Sequence, residues 1–581
     1  GRTSSVLDIR TKEGNLRELK GEASLGIISA QIMLEGPIKK GKSSFLISAR
    51  RTYLDLFTRA ITRSNSEGAR SVTYNFYDLT AKANWVLNEK SKLFVSAYSG
   101  DDKIGIKFSN ELKEPDNYSQ NKNDNRLRWG NQLLMLRWNR IWGKNIFSNI
   151  IATYTRYHYR TEFLFESTKI QNSDTLNIAS FADFRSGIKE YGGILNLDYY
   201  LTTRHHLKAG IEGKAYQFSP GISRRTLTDT YIIEEDTSFG SDPIIGFSGA
   251  IYAEDEWNVG DKLGVNIGLR ANLYHSDQTS FTSLEPRFSM RYLLANATSL
   301  KLSGAKMSQF VHQLSNSDAG IPTDLWVPAT SIAPIQTSWI GALGLVHTFQ
   351  QKWEISGEIY YKLMSNLIDY KAGQTFWGDV EDWQEKVEVG GKGEAYGTEL
   401  FASKKTGATQ GWFSYTLSWS NRTFTHLNQG LAYPFKYDNR HNLNVFLWHR
   451  FNKKVQLSGV FVFKSGNAVN LAVAKHNLTF PYDETINGWK FGEYRQVDIF
   501  PEARNSFRIA PYHRLDLAIN FPKEKKWGKR IWSLSIYNLY ARKNPYFYFF
   551  QDEIVDGKKI TRLKQFSLFP IIPSITYKVE F

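Results

Sequence analysis

Three short clusters of carboxylates are the residues of this chain best suited to acid–base chemistry. They are Asp101-Asp102, Glu234-Glu235-Asp236 and Glu254-Asp255-Glu256. Glycoside cleavage needs two carboxylates at a set separation across the sugar, and nothing in this spacing selects such a pair. Solvated charge in loops or at strand ends explains the clusters better, so they do not predict catalysis.

Histidine, cysteine and glycine-rich motifs give no better catalytic or metal-binding site. The chain has 11 histidines and no cysteine, which excludes disulfides, thiolate metal ligands, iron–sulfur clusters and cysteine nucleophiles. His158 stands alone between Tyr157 and Tyr159, and a lone histidine of this kind is usually structural rather than a ligand. No zincin, EF-hand, phosphate-loop or nucleophile-elbow motif occurs in a credible context. We therefore predict no enzyme activity, no metal site and no cofactor.

Regular alternation of apolar and polar residues indicates the elements that must position any functional side chain. The final segment shows it best, where Pro573, Ile575, Tyr577, Val579 and Phe581 alternate with polar residues. A pleated strand places all such polar residues on one face, whereas a helix would scatter them. No stretch approaches about 18 apolar residues, which excludes a helical membrane protein. A large soluble β-protein and an outer-membrane barrel remain.

About 22 candidate strands are separated alternately by short polar turns and by longer connections. The candidate strands lie near 16–26, 27–35, 43–55, 73–88, 92–102, 126–142, 145–162, 186–201, 206–217, 244–257, 262–275, 284–294, 299–309, 336–349, 353–366, 393–404, 411–424, 437–451, 455–465, 509–521, 530–542 and 569–581. The longer connections lie near 56–72, 103–125, 163–185, 218–243, 276–283, 310–335, 367–392, 425–436, 466–508 and 543–568. This organisation is typical of bacterial outer-membrane barrels. The sequence thus predicts an all-β fold: a 22-stranded antiparallel transmembrane β-barrel with short periplasmic turns and long extracellular loops, in contact with outer-membrane lipid.

Aromatic residues in the long connections are the candidates for ligand binding, because aromatic faces offer large, rigid contact areas to sugars and apolar groups. The candidates are Trp326, Trp377, Trp383, Tyr482 and Trp489. Loop tryptophans also serve as packing anchors. We favour that role for Trp326, which lies close to Pro322 and Pro328.

Charged residues on the polar face of the strands are predicted to face the lumen. They are Lys208, Glu212, Lys214, Arg270, Glu358, Lys362, Arg514 and Asp516. The formal net charge is +16, from 73 Lys and Arg against 57 Asp and Glu. The cations are spread along turns, loops and strands rather than clustered on one face, so nucleic-acid binding is not predicted. A partly paired polar wall and a cation-lined pore for an anionic ligand both remain open.

Nine segments, in order along almost the whole chain, resemble TonB-dependent outer-membrane receptors of the Bacteroidota branch. They are 1–15 (GRTSSVLDIRTKEGN), 34–38 (LEGPI), 48–55 (SARRTYLD), 76–79 (FYDL), 285–287 (EPR), 320–328 (GIPTDLWVP), 504–508 (RNSFR), 512–516 (YHRLD) and 537–539 (YNL). The resemblance implies that residues 1–15 are the end of a plug domain and residues 16–581 the barrel. It also implies a receptor that binds a ligand at its extracellular loops and imports it with energy from the periplasmic TonB complex.

A complete receptor of this kind would carry about 120–150 further residues upstream, forming most of the plug and the segment that TonB grips. We expect that these residues belong to the native chain, because a bare lumen of this width would leak. Relatives in this branch often work with a surface lipoprotein, which we therefore expect as a partner. The alternatives are a plug-less structural barrel of an envelope assembly or secretion complex, and a soluble β-rich surface enzyme. The sequence does not identify the ligand.

Overall fold

The computed structural model folds the chain into one closed barrel of 22 antiparallel strands. It describes every residue except 1–2, 4–7, 56–68, 115–116, 172–173, 230–234, 241, 277, 316–323, 375–381, 480–484, 487–488, 491–493, 500–502, 556–557 and 568. The predicted fold class is confirmed, including the number of strands. The alternation of polar and apolar residues along these segments explains why they form barrel strands rather than helices.

The barrel strands are numbered here in chain order. They are β1 (Lys20–Gly26), β2 (Ser29–Lys39), β3 (Ser43–Thr52), β4 (Ala69–Asn88), β5 (Ser91–Glu114), β6 (Asn117–Trp142), β7 (Ile146–Gln171), β8 (Asp174–Tyr200), β9 (His205–Asp229), β10 (Ile244–Val259) and β11 (Leu263–Ser276). They continue with β12 (Thr279–Ala295), β13 (Thr298–Gln309), β14 (Gln336–Phe349), β15 (Trp353–Tyr370), β16 (Val387–Lys404), β17 (Thr409–Thr423), β18 (His441–Arg450), β19 (Gln456–Lys464), β20 (Tyr512–Lys525), β21 (Gly528–Tyr537) and β22 (Ile572–Glu580).

Each barrel strand pairs with the strands before and after it, and the last strand pairs with the first. Tyr577 of β22 lies opposite Leu25 of β1, which closes the ring. A closed ring satisfies the backbone hydrogen bonds of every strand, as a lipid environment requires.

The two faces of the barrel wall differ as the alternation predicts. On β11, Ile267 and Leu273 point outward and are 56% and 53% exposed. Arg270 of the same strand points inward and donates to Glu212 of β9 at 2.7 Å. The outer face is thus apolar where lipid covers it, while polar groups line the lumen.

The strands β4–β9 run far beyond their predicted bounds, so several predicted connections are wrong. The predicted connections that are largely or partly strand are 103–125, 163–185, 218–243, 276–283 and 543–568. Polar side chains pair across these extensions, as Lys107 Nζ and Asp124 do at 2.7 Å. The extension 117–125 is polar on both faces and resembles a loop in sequence, because the apolar half of the alternation is missing.

The connections contain further elements that are not among the 22 barrel strands. Their strands are Glu235–Gly240, Val311–Ser315, Asp324–Pro328, Tyr433–Pro434, Ala468–Val469, Ala474–Thr479, Thr485–Ile486, Trp489–Lys490, Tyr494–Ile499, Phe507–Arg508, Pro545–Val555 and Lys558–Ser567, and their 3₁₀ helices are Trp383–Lys386 and Asn428–Gly430. Within the described part of the chain, no helix has the length and apolar character needed to cross a membrane.

Candidate functional site

The extracellular connection between β13 and β14 folds back into the barrel as a two-stranded hairpin. We call it the inner hairpin, and its strands Val311–Ser315 and Asp324–Pro328 pair antiparallel. Leu314 and Val327 are fully buried and share an apolar cluster with the inward-facing Tyr159 of β7. The inner hairpin therefore covers part of the lumen at its extracellular end.

Two of the five aromatic candidates pack around the inner hairpin. Trp326 lies on its second strand and packs beside Phe218 and Tyr274 of the barrel wall. Trp383 begins a 3₁₀ helix, is only 6% exposed and belongs to the same cluster as Leu314. Since so little of Trp383 is exposed, it offers no ring face to a ligand in this conformation.

The other three aromatic candidates have no described side chain. Trp377 and Tyr482 lie outside the described residues. Trp489 belongs to a two-residue strand whose side chains are likewise not described. Their role in ligand binding therefore stays a prediction.

Three of the predicted lumen charges form one cluster on the inner wall. The carboxylate of Glu212 lies 3.1 Å from Lys214 Nζ and 2.7 Å from the Arg270 guanidinium. Glu190 of β8 adds a second carboxylate, 3.2 Å from Lys214 Nζ. Two cations thus face two carboxylates, and the cluster presents no net charge to an anion.

Three further lumen charges are also paired. Lys208 forms an ion pair with Glu256, and the Arg514 guanidinium lies 3.0 Å from the carboxylate of Asp516. Arg514 also donates to the Tyr537 hydroxyl at 2.7 Å. Along these strands the contacts favour a paired polar wall over a cation-lined pore.

Lys362 contacts the beginning of the chain. Its ammonium group donates to the carbonyl of Thr3, and the Thr3 hydroxyl donates to Gln309 Oε1 at 3.0 Å. Thr3 is buried. One end of the N-terminal segment therefore lies inside the barrel, against β13 and β15.

Residues 8–15 lie against a different wall, formed by β3, β4 and β6. The carboxylate of Glu13 lies 3.1 Å from Arg137, and the Ser44 hydroxyl donates to the Gly14 carbonyl at 2.7 Å. A side chain at Gly14 would stand 2.1 Å from the Phe45 carbonyl oxygen, so only glycine fits this approach. Because β3–β6 and β13–β15 lie almost opposite in the ring, the N-terminal segment contacts both sides of the lumen.

Glu358 of β15 and Glu399 of β16 lie directly opposite each other across the strand pair. Both face the lumen, and within the described residues neither carboxylate has a cation within ion-pairing distance. Like charges in this arrangement repel each other. The pair is therefore suited to receive a cationic group from outside the described barrel.

Asp369, at the extracellular end of β15, joins three separate segments of the chain. It accepts a hydrogen bond from the Tyr433 hydroxyl at 2.8 Å and one from Arg504 at 3.0 Å. The Arg422 guanidinium lies 3.9 Å from the same carboxylate and 3.5 Å from the centre of the Phe435 ring. Asp369 is buried, so these contacts hold the loops together without competition from water.

A second buried aspartate, Asp438, repeats this arrangement nearby. It forms ion pairs with Arg508 and with Arg440, the latter at 2.9 Å. Its other oxygen accepts from the Ser420 backbone amide at 2.8 Å. We call Asp369, Asp438, Arg422, Arg504 and Arg508 together the mouth network.

Sequence analysis missed the function of the mouth network. In the sequence, Arg504 and Arg508 stand out only as part of the segment 504–508 that resembles the receptor family. The sequence feature that could have indicated the network is the pair of arginines four residues apart. Their partners are single aspartates, one at a strand end and one in a loop. Nothing in the sequence indicates which aspartate meets which arginine, because the partners are up to 135 residues apart.

His312 of the inner hairpin is fully buried. Its Nε2 lies 3.2 Å from the Ala333 carbonyl oxygen, and its Nδ1 has no hydrogen-bond partner among the described residues. Burial lowers the pKa of the imidazole to about 4. A protonated His312 is therefore disfavoured while the hairpin is docked.

Tyr437 fastens the inner hairpin to the loop that carries Asp438. Its hydroxyl donates to Asp324 at 3.0 Å. Burial, together with the nearby Asp324 carboxylate, raises the pKa of Tyr437 to about 12. The hydroxyl therefore stays protonated and keeps its donor role at physiological pH.

Comparison with known protein families identifies most of the barrel. The sequence profile described as "TonB dependent receptor-like, beta-barrel" matches residues 57–539. No curated protein sequence matches the chain.

Solved outer-membrane receptors share this fold at low sequence identity. The ferric yersiniabactin uptake receptor FyuA of Yersinia pestis is 12% identical with a TM-score of 0.61, over 98% of this chain and 81% of its own. The ferripyoverdine receptor of Pseudomonas aeruginosa is 12% identical with a TM-score of 0.60, over 98% and 72%. The siderophore receptor PirA of Acinetobacter baumannii is 13% identical with a TM-score of 0.59, over 98% and 81%. Such identities establish a common fold and not a common ligand.

Proposed function

Because the chain belongs to the family of TonB-dependent receptor-like β-barrels, we propose that it binds a ligand at its extracellular loops and imports it through the lumen with energy transmitted by TonB. The family match over residues 57–539 carries this proposal. The family is one of outer-membrane receptors and transporters, and the proposed function involves no covalent reaction.

A plug domain is part of the proposal, since a barrel of this size is too wide to be filled by its own side chains. Residues 1–15 are then the end of the plug, and residues 16–581 are the barrel. Contacts of Thr3 with Gln309 and of Glu13 with Arg137 support this division. Glu358 and Glu399 would receive a cationic side chain of the plug.

The extracellular mouth is the proposed site of ligand capture. Trp383 is covered by the inner hairpin, so it takes part in binding only after the hairpin has moved. The mouth network keeps the neighbouring loops in place while this happens. A surface lipoprotein over the loops, and membership of the Bacteroidota branch, belong to the same proposal.

A thiol crosslink tests whether TonB acts on the N-terminal segment. The chain has no cysteine, so Glu13→Cys with Arg137→Cys creates the two thiols needed for a short bismaleimide. We expect the yield of crosslink to fall several-fold in energised cells that contain TonB, because pulling separates residue 13 from the wall. Equal yields with and without TonB would contradict the proposal.

A matched pair within the wall serves as the control. Ser48 and Thr80 lie opposite each other on β3 and β4, and Ser48→Cys with Thr80→Cys should crosslink equally in both kinds of cell. A change in this pair would show that TonB alters labelling in general rather than the position of residue 13.

The intact mass of the protein from native outer membranes separates import from the structural alternative. We expect a mass well above 66.8 kDa with plug sequence upstream, and a co-purifying lipoprotein. A mass near 66.8 kDa within a stable assembly of several subunits would instead make the chain a structural barrel.

A further inference from the structure

A row of four cations crosses the outer face of β5–β8 in register. Lys103 lies opposite Arg128, Arg128 opposite Arg160, and Arg160 opposite Arg185. Because neighbouring strands are about 4.8 Å apart, the row spans about 14 Å. Like charges placed directly opposite one another are unfavourable unless anions lie among them.

The neighbours of these cations show that the row faces outward. Tyr157 and Tyr159, on either side of His158 on β7, pack inward against the buried clusters of the lumen. Arg160 therefore points outward. On β6, Leu134 shares the face of Arg128 and is 52% exposed.

The height of the row places it at the outer boundary of the membrane. Tyr154 and Tyr191 pack against each other on the outer face with ring centres 5.1 Å apart, as aromatic residues of the girdle of a barrel do at the interface. Towards the periplasm, β7 and β8 continue with outward apolar residues such as Ile150 and Leu197. Towards the extracellular side, the outward positions become charged.

The first charged positions above the tyrosines are also cations. Arg156 and Lys189 lie opposite each other on β7 and β8. Lys189 donates to Gln217 at 3.2 Å, and within the described residues neither cation has an ion-pair partner. Lys103 likewise has no ion-pair partner among the described residues.

Only part of this positive charge is neutralised by the protein. Asp101 is buried beneath Arg128 at 2.5 Å, and Asp183 accepts from Arg160 at 2.8 Å. Glu162 pairs with Arg160 at 2.7 Å. We call the six cations the outer cationic patch. They are Lys103, Arg128, Arg156, Arg160, Arg185 and Lys189.

We propose that the outer cationic patch binds the phosphate groups of a phosphorylated glycolipid of the outer leaflet. Arginine forks match phosphate oxygens in geometry and charge, and clustered cations at a membrane surface attract anionic head groups. The lipid's acyl chains would lie against Leu134, Tyr154 and Tyr191, directly below. A free anion would not use this apolar surface, so the geometry favours the lipid.

Titration of the purified chain in detergent with lipid A bearing two phosphates tests this site. The variant Lys103→Gln, Arg156→Gln, Lys189→Gln removes the three cations that have no ion pair, so no buried carboxylate loses its partner. We expect its affinity for lipid A to fall about 100-fold, at about a fivefold loss per cation. The single variant Arg156→Gln, which should lose about fivefold, keeps the test informative if the triple variant does not fold.

Cations at the periplasmic end of the outer face provide the matched control. Arg140→Gln, Lys404→Gln, Arg530→Gln removes three outward cations from the other leaflet, and its affinity should stay within about twofold of the unaltered chain. Equal binding of dephosphorylated lipid A, or an unchanged affinity of the triple variant, would overturn the proposal. Loss of binding in EDTA would overturn it too, because it would assign the phosphates to metal ions on Asp101 and Glu162. Inorganic phosphate that competes as well as lipid A would show an anion site without lipid recognition.

Discussion

The two sides of the barrel end in opposite ways at the extracellular surface. On the side of β5–β9, the strands continue outward as polar hairpins, with contacts such as Lys107 to Asp124 between neighbours. On the side of β13–β18, the connections turn inward, and residues such as Leu314 and Val327 become fully buried. We refer to these as the protruding side and the folded-in side.

Composition explains the difference. The segment 117–171 contains no proline, and its polar side chains pair across both faces of a regular sheet. The segment 310–335 carries Pro322, Pro328 and Pro334, which interrupt strand pairing, together with apolar residues that need to be buried. The connection 163–185, which has no proline, therefore extends the sheet, whereas the proline-rich connection 310–335 folds into the lumen.

The largest expected effect is the loss of Asp369 on the folded-in side. Asp369→Ala leaves Arg422 and Arg504 without their shared carboxylate, and breaking a buried ion pair in this way costs about 3–5 kcal/mol. We expect limited proteolysis to cleave within 425–440 at least tenfold faster. Glu354→Gln, which removes an exposed pair with Lys405 at the periplasmic end, should not change cleavage there.

Removing a core side chain from the inner hairpin should have the next largest effect. Leu314→Ala creates a cavity and should weaken docking of the hairpin by about 2–4 kcal/mol. Ala333→Cys, fully buried beneath the hairpin, reports docking through its rate of maleimide labelling, which should rise.

The matched change on the outer face is Leu134→Ala, which removes a side chain from contact with lipid rather than from a packed core. Labelling of Ala333→Cys should stay the same in this variant. Equal increases in the labelling rate of Ala333→Cys in the Leu314→Ala and Leu134→Ala variants would contradict the claim that core packing holds the inner hairpin in place.

Acidic pH should loosen the inner hairpin through His312. The docked imidazole has a pKa of about 4, below its ordinary value of about 6.5. As the pH falls below about 6.5, the undocked hairpin gains a proton that the docked one does not, so docking weakens by about 2 kcal/mol at pH 5. Labelling of Ala333→Cys between pH 7 and 5 measures this change.

His312→Asn supplies the control for the pH dependence, since asparagine does not titrate. The ratio of labelling rates at pH 5 and pH 7 should then be close to that of an exposed cysteine. A ratio as large as in the His312 protein would assign the effect to another group.

The smallest effect is expected on the protruding side. Asp124→Asn removes contacts with Lys107 and Arg126, and partly exposed pairs of this kind contribute less than about 1 kcal/mol each. The midpoint of thermal unfolding should change little. A shift as large as that of Asp369→Ala would remove the energetic distinction between the two sides.

Most of the fold could be predicted from sequence because membrane strands repeat a strong alternating pattern. Ile575 in β22 and Phe581 directly after it, for example, belong to an alternation with polar residues that marks both the strand and its outer face. The extension 117–125 could not be predicted, since it is polar on both faces, whereas in 103–114 the residues Ile104, Ile106 and Phe108 do alternate with polar ones. The contacts of Asp369 and the inward fold of the hairpin depend on which distant segments meet, and single-sequence patterns do not carry that information.

Hydrogen exchange of the unaltered chain most directly tests the claim that the inner hairpin of the folded-in side is docked inside the barrel. We expect amides of 311–315 and 324–327 to exchange at least about tenfold more slowly than those of 105–114, although both regions belong to extracellular β-hairpins. The reason is that the inner hairpin is buried, whereas the protruding hairpin is open to water on both faces. Exchange of the inner hairpin at the same rate as 105–114, or faster, would contradict a docked inner hairpin.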